Sequence, residues 1–352
     1  MSCDASLRLL CWEGYEQPSL LDPFIRPRGV TVIGETLLSD YAAATRVAED
    51  PGRWDIVNLN NPFVRDFLHP RGLVRALDRA KFAPYFANML SWLQPYLNVA
   101  YSRDGRDLIG VCQRFGPFNL VINEARISRA TAADQGFELA NDRGSAGRFG
   151  ILSYDDFNVF HIAIGAGLDP FVRLSEAAFA SFEATARRWH SAAALVSDDH
   201  LTLNRALVAG VIDFYISGGV YTASPARLEG HGNIRAVTPV RGPIGGKGGI
   251  MFLEVTSVLR HATSPVLAAE FLDYLMQPKT AVRAALSAGA CNPVTQLADP
   301  AVLGAFTSAQ LAAMQWDDLQ EQISHCAEYA LAPDYERLLA LVVSARGECR
   351  SV

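Results

Sequence analysis

The chain has 352 residues, of which 50% are hydrophobic and 19% are charged, and its formal net charge is −6. This length allows about two domains that each bury a core, and the composition is that of a folded globular protein. The acidic balance argues against nucleic acid or an anionic membrane as the main partner. No apolar run approaches the ~20 residues that cross a bilayer, so no membrane-spanning segment is predicted.

The N-terminal apolar segment, Leu7 to Trp12, is shorter than the roughly 7–15 residues of a signal-peptide core and is more typical of a first strand. We therefore expect either a cytosolic protein or one whose leader has been removed. Six cysteines are present, and none of them form a C-x-x-C pair, which argues against a zinc ribbon or a redox motif. Buried free thiols are favoured, and disulfides stay open because the number is even.

In the first part of the chain, β-rich segments alternate with helical patterns. Strands are predicted at 7–12, 30–35 and 54–60, and helices at 18–29 and 38–50. This βαβαβ order indicates a mostly parallel sheet with helices on both faces.

The alternation resumes further along. Strands are predicted at 149–156, 193–199, 211–219 and 248–260. Helices are predicted from about Asn158, at 200–210, at 265–277 and from about 320 to 346. Polar residues follow several of these strands, at 59–61, 153–156, 197–199, 216–219 and 252–257. Since ligands of open α/β sheets bind beyond the carboxyl ends of strands, the pattern predicts a cleft between two lobes.

The sequence lacks the signatures of a phosphate-binding loop, a catalytic metal site and a serine-hydrolase nucleophile. The glycine-rich stretch 242–249 lacks the Ser or Thr that follows the lysine of a phosphate loop, and a strand follows it instead of a helix. We interpret these glycines as a flexible turn between two strands. The seven histidines are scattered, and "SDDH" at 197–200 is better explained by a helix N-cap at Ser197 or Asp198 than by a metal site. The motif G-x-S-x-G is absent.

Two acids, Asp156 and Glu254, lie at the end or in the middle of apolar strands, where a charge is costly unless it is paired. Asp156 could cap the helix that follows it. Glu254 could form an internal ion pair with Arg260 or Arg114. The functional alternative for both acids is that they hold a ligand cation.

The chain resembles the spermidine/putrescine-binding proteins of bacterial ABC importers over almost its whole length. The motifs that carry the resemblance are "LRLLCWEGYEQPSLLDPF", "WDIVNLNNPFV" with "GLVRALDRAKF", "ILSYDDFNVF", and the segment from Gly248 to Thr295. The resemblance implies an α/β, two-lobe periplasmic-binding-protein fold of type II with a ligand cleft between the lobes. Lobe one is expected at 1–118 and 253–297, and lobe two at 119–252 and 298–352.

The resemblance also implies the site. It places on ligand-contacting positions the residues Trp12, Tyr15, Asn60, Asn61, Asp156, Phe252 and Glu254. Further positions expected near the ligand are Arg114, Ser217, Gly218, Asn292, Trp316 and Asp317.

Several positions depart from the family pattern. These departures reduce the number of aromatic side chains around the expected ligand and add a cation. They are Ile216 for a tryptophan, Ala290 for another aromatic residue, Asn158 for a second acid and Arg114 for an uncharged residue. Linear polyamines favour several acids and aromatic faces. Fewer acids and an arginine suit a ligand that also carries a carboxylate. Arg114 is equally compatible with a structural partnership with Glu254.

The sequence therefore predicts an extracytoplasmic solute-binding protein of an ABC importer, without enzymatic activity, cofactor or metal. It would bind by hinge closure an amine-containing polar ligand such as an opine of the mannopine type, or another sugar–amino-acid conjugate. The alternatives are a polyamine-binding protein and an enzyme with a similar two-lobe shape. The expected partners are an inner-membrane permease and ATPase, with no nucleic acid. The expected state is a periplasmic monomer.

Overall fold

The structure is a computed structural model that describes residues 6–349. Two compact units share the chain, and each unit is discontinuous in sequence. Unit 1 consists of Met1–Phe115 and Phe252–Ser308, and unit 2 of Gly116–Met251 and Ala309–Val352. No helix of the described residues is long and apolar enough to cross a membrane.

Within the described residues the strands are, in chain order, β1 (Ser6–Cys11), β2 (Thr31–Thr36), β3 (Ile56–Asn60), β4 (Val111–Asn123), β5 (Phe149–Leu152), β6 (Leu195–Ser197), β7 (Phe214–Gly219), β8 (Ile234–Val237), β9 (Gly249–Val258) and β10 (Cys326–Glu328).

The α-helices of the same residues are α1 (Pro18–Arg28), α2 (Asp40–Glu49), α3 (Arg79–Ala87), α4 (Arg129–Gln135), α5 (Asp155–Gly165), α6 (Glu176–Ala192), α7 (His200–Val208), α8 (Val220–Leu228), α9 (Pro265–Leu275), α10 (Pro278–Ala285), α11 (Pro300–Leu303), α12 (Ser308–Ala313), α13 (Leu319–Ser324) and α14 (Tyr335–Cys349). A π-helical segment covers Phe63–Leu68. Short 3₁₀ segments occur at His69–Arg71, Ser91–Ala100, Gly136–Ala140, Arg143–Ser145, Ser287–Gly289 and Thr295–Ala298.

The sheet of unit 1 has the strand order β2-β1-β3-β9. Strand β1 pairs in parallel with both β2 and β3, and β3 pairs antiparallel with β9. Every residue of β3 and β9 is buried, as expected for strands that carry cover on both faces. Because β3 ends where the middle of β9 passes, Asn60 lies directly opposite Glu254.

The sheet of unit 2 has the order β4-β7-β5-β6, and β8 also pairs with β4. Strand β5 is parallel to β6 and β7, whereas β4 is antiparallel to β7 and β8. The antiparallel pairs of both units involve β4 and β9, the two strands that belong to both units. The predicted parallel arrangement therefore holds for the βαβ segments, whereas β4 pairs antiparallel with β7 and β8, and β9 pairs antiparallel with β3 and parallel with β10.

Helix ends follow local signals in the sequence. Helix α1 ends at Gly29, whose φ of 61° is left-handed and whose N–H bonds to Ile25 O. Helix α2 begins after Ser39, whose side chain accepts a hydrogen bond from the N–H of Ala42. The glycine-rich stretch forms a turn between β8 and β9, with positive φ at Gly245 and Gly246.

Three local predictions need correction. The expected C-terminal helix is divided into α13, β10 and α14, because β10 pairs with β9 and Pro333 cannot continue a helix. Helix α7 is capped by Asp199, not by Ser197 or Asp198. Helix α5 begins at Asp155, so Asp156 lies inside its first turn and does not cap it.

The described cysteines carry free, buried thiols: Cys11, Cys112, Cys291 and Cys326. Burial raises the pKa of each of them, which keeps them in the unreactive thiol form. Cys3 and the side chain of Cys349 lie outside the described part of the chain.

Candidate functional site

Unit 1 contains a polar cluster formed by Tyr15, Asn60, Arg114 and Glu254, and a buried ion pair is part of it. The Nε of Arg114, on β4, donates to Oε2 of Glu254, on β9, over 2.9 Å. The two side chains are only 4% and 6% exposed. Of the two partners that the sequence left open for Glu254, the structure selects Arg114, and Arg260 is exposed.

Two further contacts fix the guanidinium of Arg114. Its Nη1 donates to the carbonyl oxygen of Glu13 over 2.8 Å, and its Cζ lies 4.4 Å from the centroid of the Tyr15 ring. Burial acts to lower the pKa of Arg114, but the charge of Glu254 outweighs it, so the pKa is raised. Arg114 is therefore charged near neutral pH. Within residues 6–349, no hydrogen bond is found for Nη2 of Arg114.

Tyr15 presents a buried hydroxyl next to this pair. The residue is 1% exposed, and its hydroxyl has no hydrogen-bond partner of good geometry among the described residues. Burial raises the pKa of this phenol well above its usual value, and the charge of Glu254 raises it further. Tyr15 is consequently a neutral phenol whose hydroxyl approaches the Glu254 carboxylate without a hydrogen bond of good geometry, so it can donate to another group. Buried polar atoms without partners are uncommon in proteins and call for an explanation.

Asn60 contributes a second unused polar atom. Residues that face each other in an antiparallel pair have Cβ atoms about 4.5–5.5 Å apart, which brings the side chains of Asn60 and Glu254 together. The Asn60 side-chain oxygen, Oδ1, is buried and accepts no hydrogen bond from the described residues. Thus an unused acceptor and the unused donor of Tyr15 both lie beside Glu254.

Asp40 is the residue that sequence reasoning missed. This fully buried acid begins α2 and accepts hydrogen bonds from Nε1 of Trp12 at 3.0 Å, from the backbone N–H of Asn60 at 2.9 Å and from Nδ2 of Asn60 at 2.6 Å. Asp40 therefore fixes two of the predicted site residues, and because Nδ2 of Asn60 is held, the amide oxygen is turned away from Asp40.

The remaining predicted residues of unit 1 are also buried. Asn61 is 1%, Phe252 6% and Asn292 4% exposed. Asn61 directly follows β3. Phe252 precedes Glu254 by two positions on β9, so the side chains of Phe252 and Glu254 project to the same face of the sheet. The backbone N–H of Asn292 bonds to Ala285 O over 2.7 Å, which closes the turn after α10.

Unit 2 holds Asp156 and Ser217 in separate hydrogen bonds. Asp156 is 2% exposed and accepts from the hydroxyl of Tyr335, at the start of α14. Ser217 has a left-handed φ of 63°, which is uncommon for serine. Its Oγ accepts from Nδ2 of Asn158 over 2.6 Å and lies 2.8 Å from Nδ1 of His161. These bonds hold the chain at the end of β7 in its unusual conformation.

His161 completes that network. Its Nε2 lies 2.8 Å from the carbonyl oxygen of Phe118, which can only accept, so Nε2 carries the proton and Nδ1 accepts from the Ser217 hydroxyl. Burial lowers the pKa of His161 to about 3. A histidine and a serine in contact can act as base and nucleophile. Here both side chains are fully buried and the low pKa makes the imidazole a weak base, so the pair has a structural role.

Three other predicted residues of unit 2 differ in their surroundings. Gly218 lies where an added Cβ would come within 2.2 Å of the Tyr215 ring, so only glycine fits. The side chain of Asp317 is 69% exposed and is 3.4 Å from Nη2 of Arg235. Trp316 is half-buried. Asp317 is thus a solvent-facing acid and is not part of a buried cluster.

Solved structures resemble the chain over nearly its full length. The substrate-binding protein PotD of a spermidine/putrescine ABC transporter from Streptococcus pneumoniae has a TM-score of 0.68 and 15% identity, covering 97% of this chain and 100% of that one. The chain has the fold of the periplasmic binding proteins. The TpPotD lipoprotein of Treponema pallidum gives a TM-score of 0.73 and 13% identity, with 97% and 99% coverage.

A third structure of this fold contains a ligand of another class. The binding protein MotA of A. tumefaciens B6, in complex with glucopine, has a TM-score of 0.65 and 12% identity, and covers 97% of this chain and 99% of that one. No protein-family model matches the chain, and no curated protein matches it. At identities of 12–15%, these likenesses establish the fold and leave the ligand to be argued from the residues.

Proposed function

We propose that the chain is the solute-binding component of an ABC importer and holds an amine-containing polar ligand without transforming it. The observation that carries the proposal is the polar cluster of unit 1. A buried Arg114–Glu254 pair lies beside an unused donor on Tyr15 and an unused acceptor on Asn60. Ligand groups that reach these atoms would satisfy them, which accounts for their burial without protein partners.

The charges of this cluster favour a zwitterionic ligand. The charges of Arg114 and Glu254 sum to zero. Each side chain can still make at least one more contact, Arg114 as a donor and Glu254 as an acceptor. A ligand with a carboxylate and an amine matches both, since arginine binds carboxylates well and Glu254 attracts an ammonium group. An opine also has hydroxyls for Asn60 and Tyr15. The structural similarity to MotA with glucopine adds support for this class.

Polyamine binding is the second candidate, favoured by the similarity to the two PotD proteins. A linear polyamine carries only positive charges. It would meet a carboxylate that already has a cation at 2.9 Å. We therefore place polyamines second.

The remaining parts of the proposal follow from the transport role. The protein would act outside the cytoplasm as a monomer and deliver its ligand to a membrane permease driven by an ATPase. The functions predicted for Asp156, Ser217, Gly218 and Asn292 in ligand binding stay predictions.

A thermal-shift screen followed by titration calorimetry tests the proposal. Glucopine or mannopine should raise the unfolding temperature, because a ligand at 100 times its Kd stabilises the folded state by about 2.7 kcal/mol. Spermidine and putrescine should give little or no shift. Tight binding of spermidine together with no binding of opines would show that the ligand is a polyamine and not an opine. A chemically altered ligand, detected by mass spectrometry after incubation, would instead favour an enzyme.

A further inference from the structure

We infer that Arg114 is a built-in counter-ion that determines specificity: its guanidinium occupies the place where a ligand cation would otherwise bind Glu254. The inference rests on the proposed function insofar as ligands must reach this cluster. It goes further by assigning to one side chain the exclusion of simple amines.

The contacts of Arg114 are those that a bound organic cation makes. The guanidinium has a carboxylate partner at 2.9 Å, an aromatic face with its centroid at 4.4 Å and a backbone carbonyl at 2.8 Å. Charge-assisted hydrogen bonds and contact with an aromatic face are the two main means by which proteins bind ammonium and guanidinium groups. Glu254, Tyr15 and the Glu13 carbonyl therefore form a complete cation site, and it is filled from within the chain.

Burial gives this arrangement its selectivity. Because the side chains of Arg114 and Glu254 are 4% and 6% exposed, solvent screens their charges weakly. A second cation beside Arg114 would be repelled by it, and displacement of Arg114 would leave a buried guanidinium without its partner. A ligand that carries its own anion avoids both costs, since its carboxylate compensates the guanidinium.

Removal of the guanidinium should therefore open the site to amines. Substitution Arg114→Ala leaves an uncompensated carboxylate and a space lined by the Tyr15 ring and the Glu13 carbonyl. A primary alkylammonium would fill this space and restore the charge balance. The chemical class that the variant gains is thus a linear alkylamine, for which putrescine is the probe.

The test measures putrescine binding to Arg114→Ala by calorimetry and by the shift in unfolding temperature. We expect at least a tenfold gain in affinity over the unchanged protein, and putrescine should raise the unfolding temperature of the variant only. The neutral analogue 1,4-butanediol has nearly the same shape and should have no effect on either protein.

Two control variants isolate the charge. The double variant Arg114→Ala/Glu254→Gln has a similar space without the acid and should not gain putrescine binding. Arg114→Lys keeps a cation next to Glu254 and should also show no gain. Arg114→Val, whose branched side chain suits a strand and is short enough to leave this space open, carries the same expectation as Arg114→Ala and takes its place if the alanine variant does not fold.

Failure of this inference is distinguishable from failure of the proposed function. A folded Arg114→Ala or Arg114→Val with unchanged putrescine affinity would overturn the counter-ion assignment, whatever the unchanged protein binds. An equal gain in the double variant would overturn it as well, because the space alone would then explain binding. Absence of opine binding to the unchanged protein bears on the proposed function only.

Discussion

The polar clusters of the two units differ in kind. In unit 1, the cluster is built on charges: Arg114 and Glu254 pair with each other, and Asp40 holds its neighbours. In unit 2, Ser217, Asn158 and His161 form a chain of hydrogen bonds between uncharged groups, because burial lowers the pKa of His161. The first arrangement holds two opposite charges in contact, whereas the second fixes a backbone conformation.

Aromatic residues reinforce the contrast. In unit 1, the ring of Tyr15 contacts a cation. In unit 2, the ring of Phe118 is nearly parallel to that of Tyr154, with centroids 6.1 Å apart, and it also stacks against Tyr221 at 6.0 Å. The hydroxyls of Tyr154 and Tyr221 are 3.2 Å apart. The ring beside the Arg114–Glu254 pair therefore makes an electrostatic contact, whereas the rings around Phe118 pack against one another.

The largest contrast should come from neutralising one acid in each unit. Glu254→Gln leaves Arg114 as a buried charge without a partner, so we expect the free energy of unfolding to fall by about 3–5 kcal/mol. Asp156→Asn keeps an oxygen that can accept from Tyr335, so a smaller loss of about 1 kcal/mol is expected. Urea denaturation of both variants measures the difference.

The matched control for this pair is Arg114→Met/Glu254→Gln, which removes both charges. It should be more stable than Glu254→Gln alone, since no isolated charge remains buried. Equal losses for Glu254→Gln and Asp156→Asn would show that the two units do not differ in their dependence on charge.

The network around Asp40 gives a smaller effect with an optical readout. Substitution Asp40→Asn replaces a charged acceptor by an amide, and we expect a loss of about 1.5–3 kcal/mol, the range for a hydrogen bond to a charged group. The amide oxygen can still accept from Nε1 of Trp12, but it is uncharged, so the tryptophan emission should change, while the amide nitrogen cannot accept from Nδ2 of Asn60. Ligand affinity should fall too, because Asn60 is no longer held. Unchanged ligand affinity would limit Asp40 to a role in stability.

Acid should act first on unit 2. Burial lowers the pKa of His161 to about 3 and that of His190 to about 4, both below the value of about 6.5 of an unfolded chain. Between pH 6.5 and about 4 the unfolded chain binds these protons and the folded chain does not. Stability therefore falls with falling pH, by about 1.4 kcal/mol per pH unit for each histidine.

His190→Leu tests this assignment, because neither ring nitrogen of His190 has a hydrogen-bond partner among the described residues. The variant should lose about 1.4 kcal/mol per pH unit of the acid dependence between pH 6 and 5. Hydrogen exchange at pH 5 should rise in unit 2 more than in unit 1. An unchanged pH slope would mean that other groups cause the acid sensitivity.

Much of the fold could be predicted because its strands carry local signals. Strands β1, β2 and β3 follow from apolar segments bounded by helix caps and turns, and so do the helices between them. Strand β4 was missed: its sequence, "VCQRFGPFNLVIN", contains Gln113, Arg114, Gly116 and Pro117, which locally disfavour a buried strand. Pairing with distant strands overrides these local preferences, as it does for β10.

The contacts of the candidate site are even harder to predict from local sequence than the strands. The sequence named Glu254 and Arg114 but left open whether they bind each other or a ligand, because 140 residues separate them. In the local sequence, Asp40 does not differ from any acid in the first turn of a helix. Its burial comes from Trp12 and Asn60, which are 28 and 20 residues away. Neither fact can be obtained from local periodicity or spacing.

The discontinuity of unit 1 also has a consequence for synthesis of the chain. A ribosome that adds roughly 5–20 residues per second needs about 7–28 s to pass from Arg114 to Glu254. Until then the nascent β3 lacks the strand that covers its second edge, and the guanidinium has no anion to neutralise it. The N-terminal segment must therefore remain incompletely folded, and open to chaperones, until β9 has been translated.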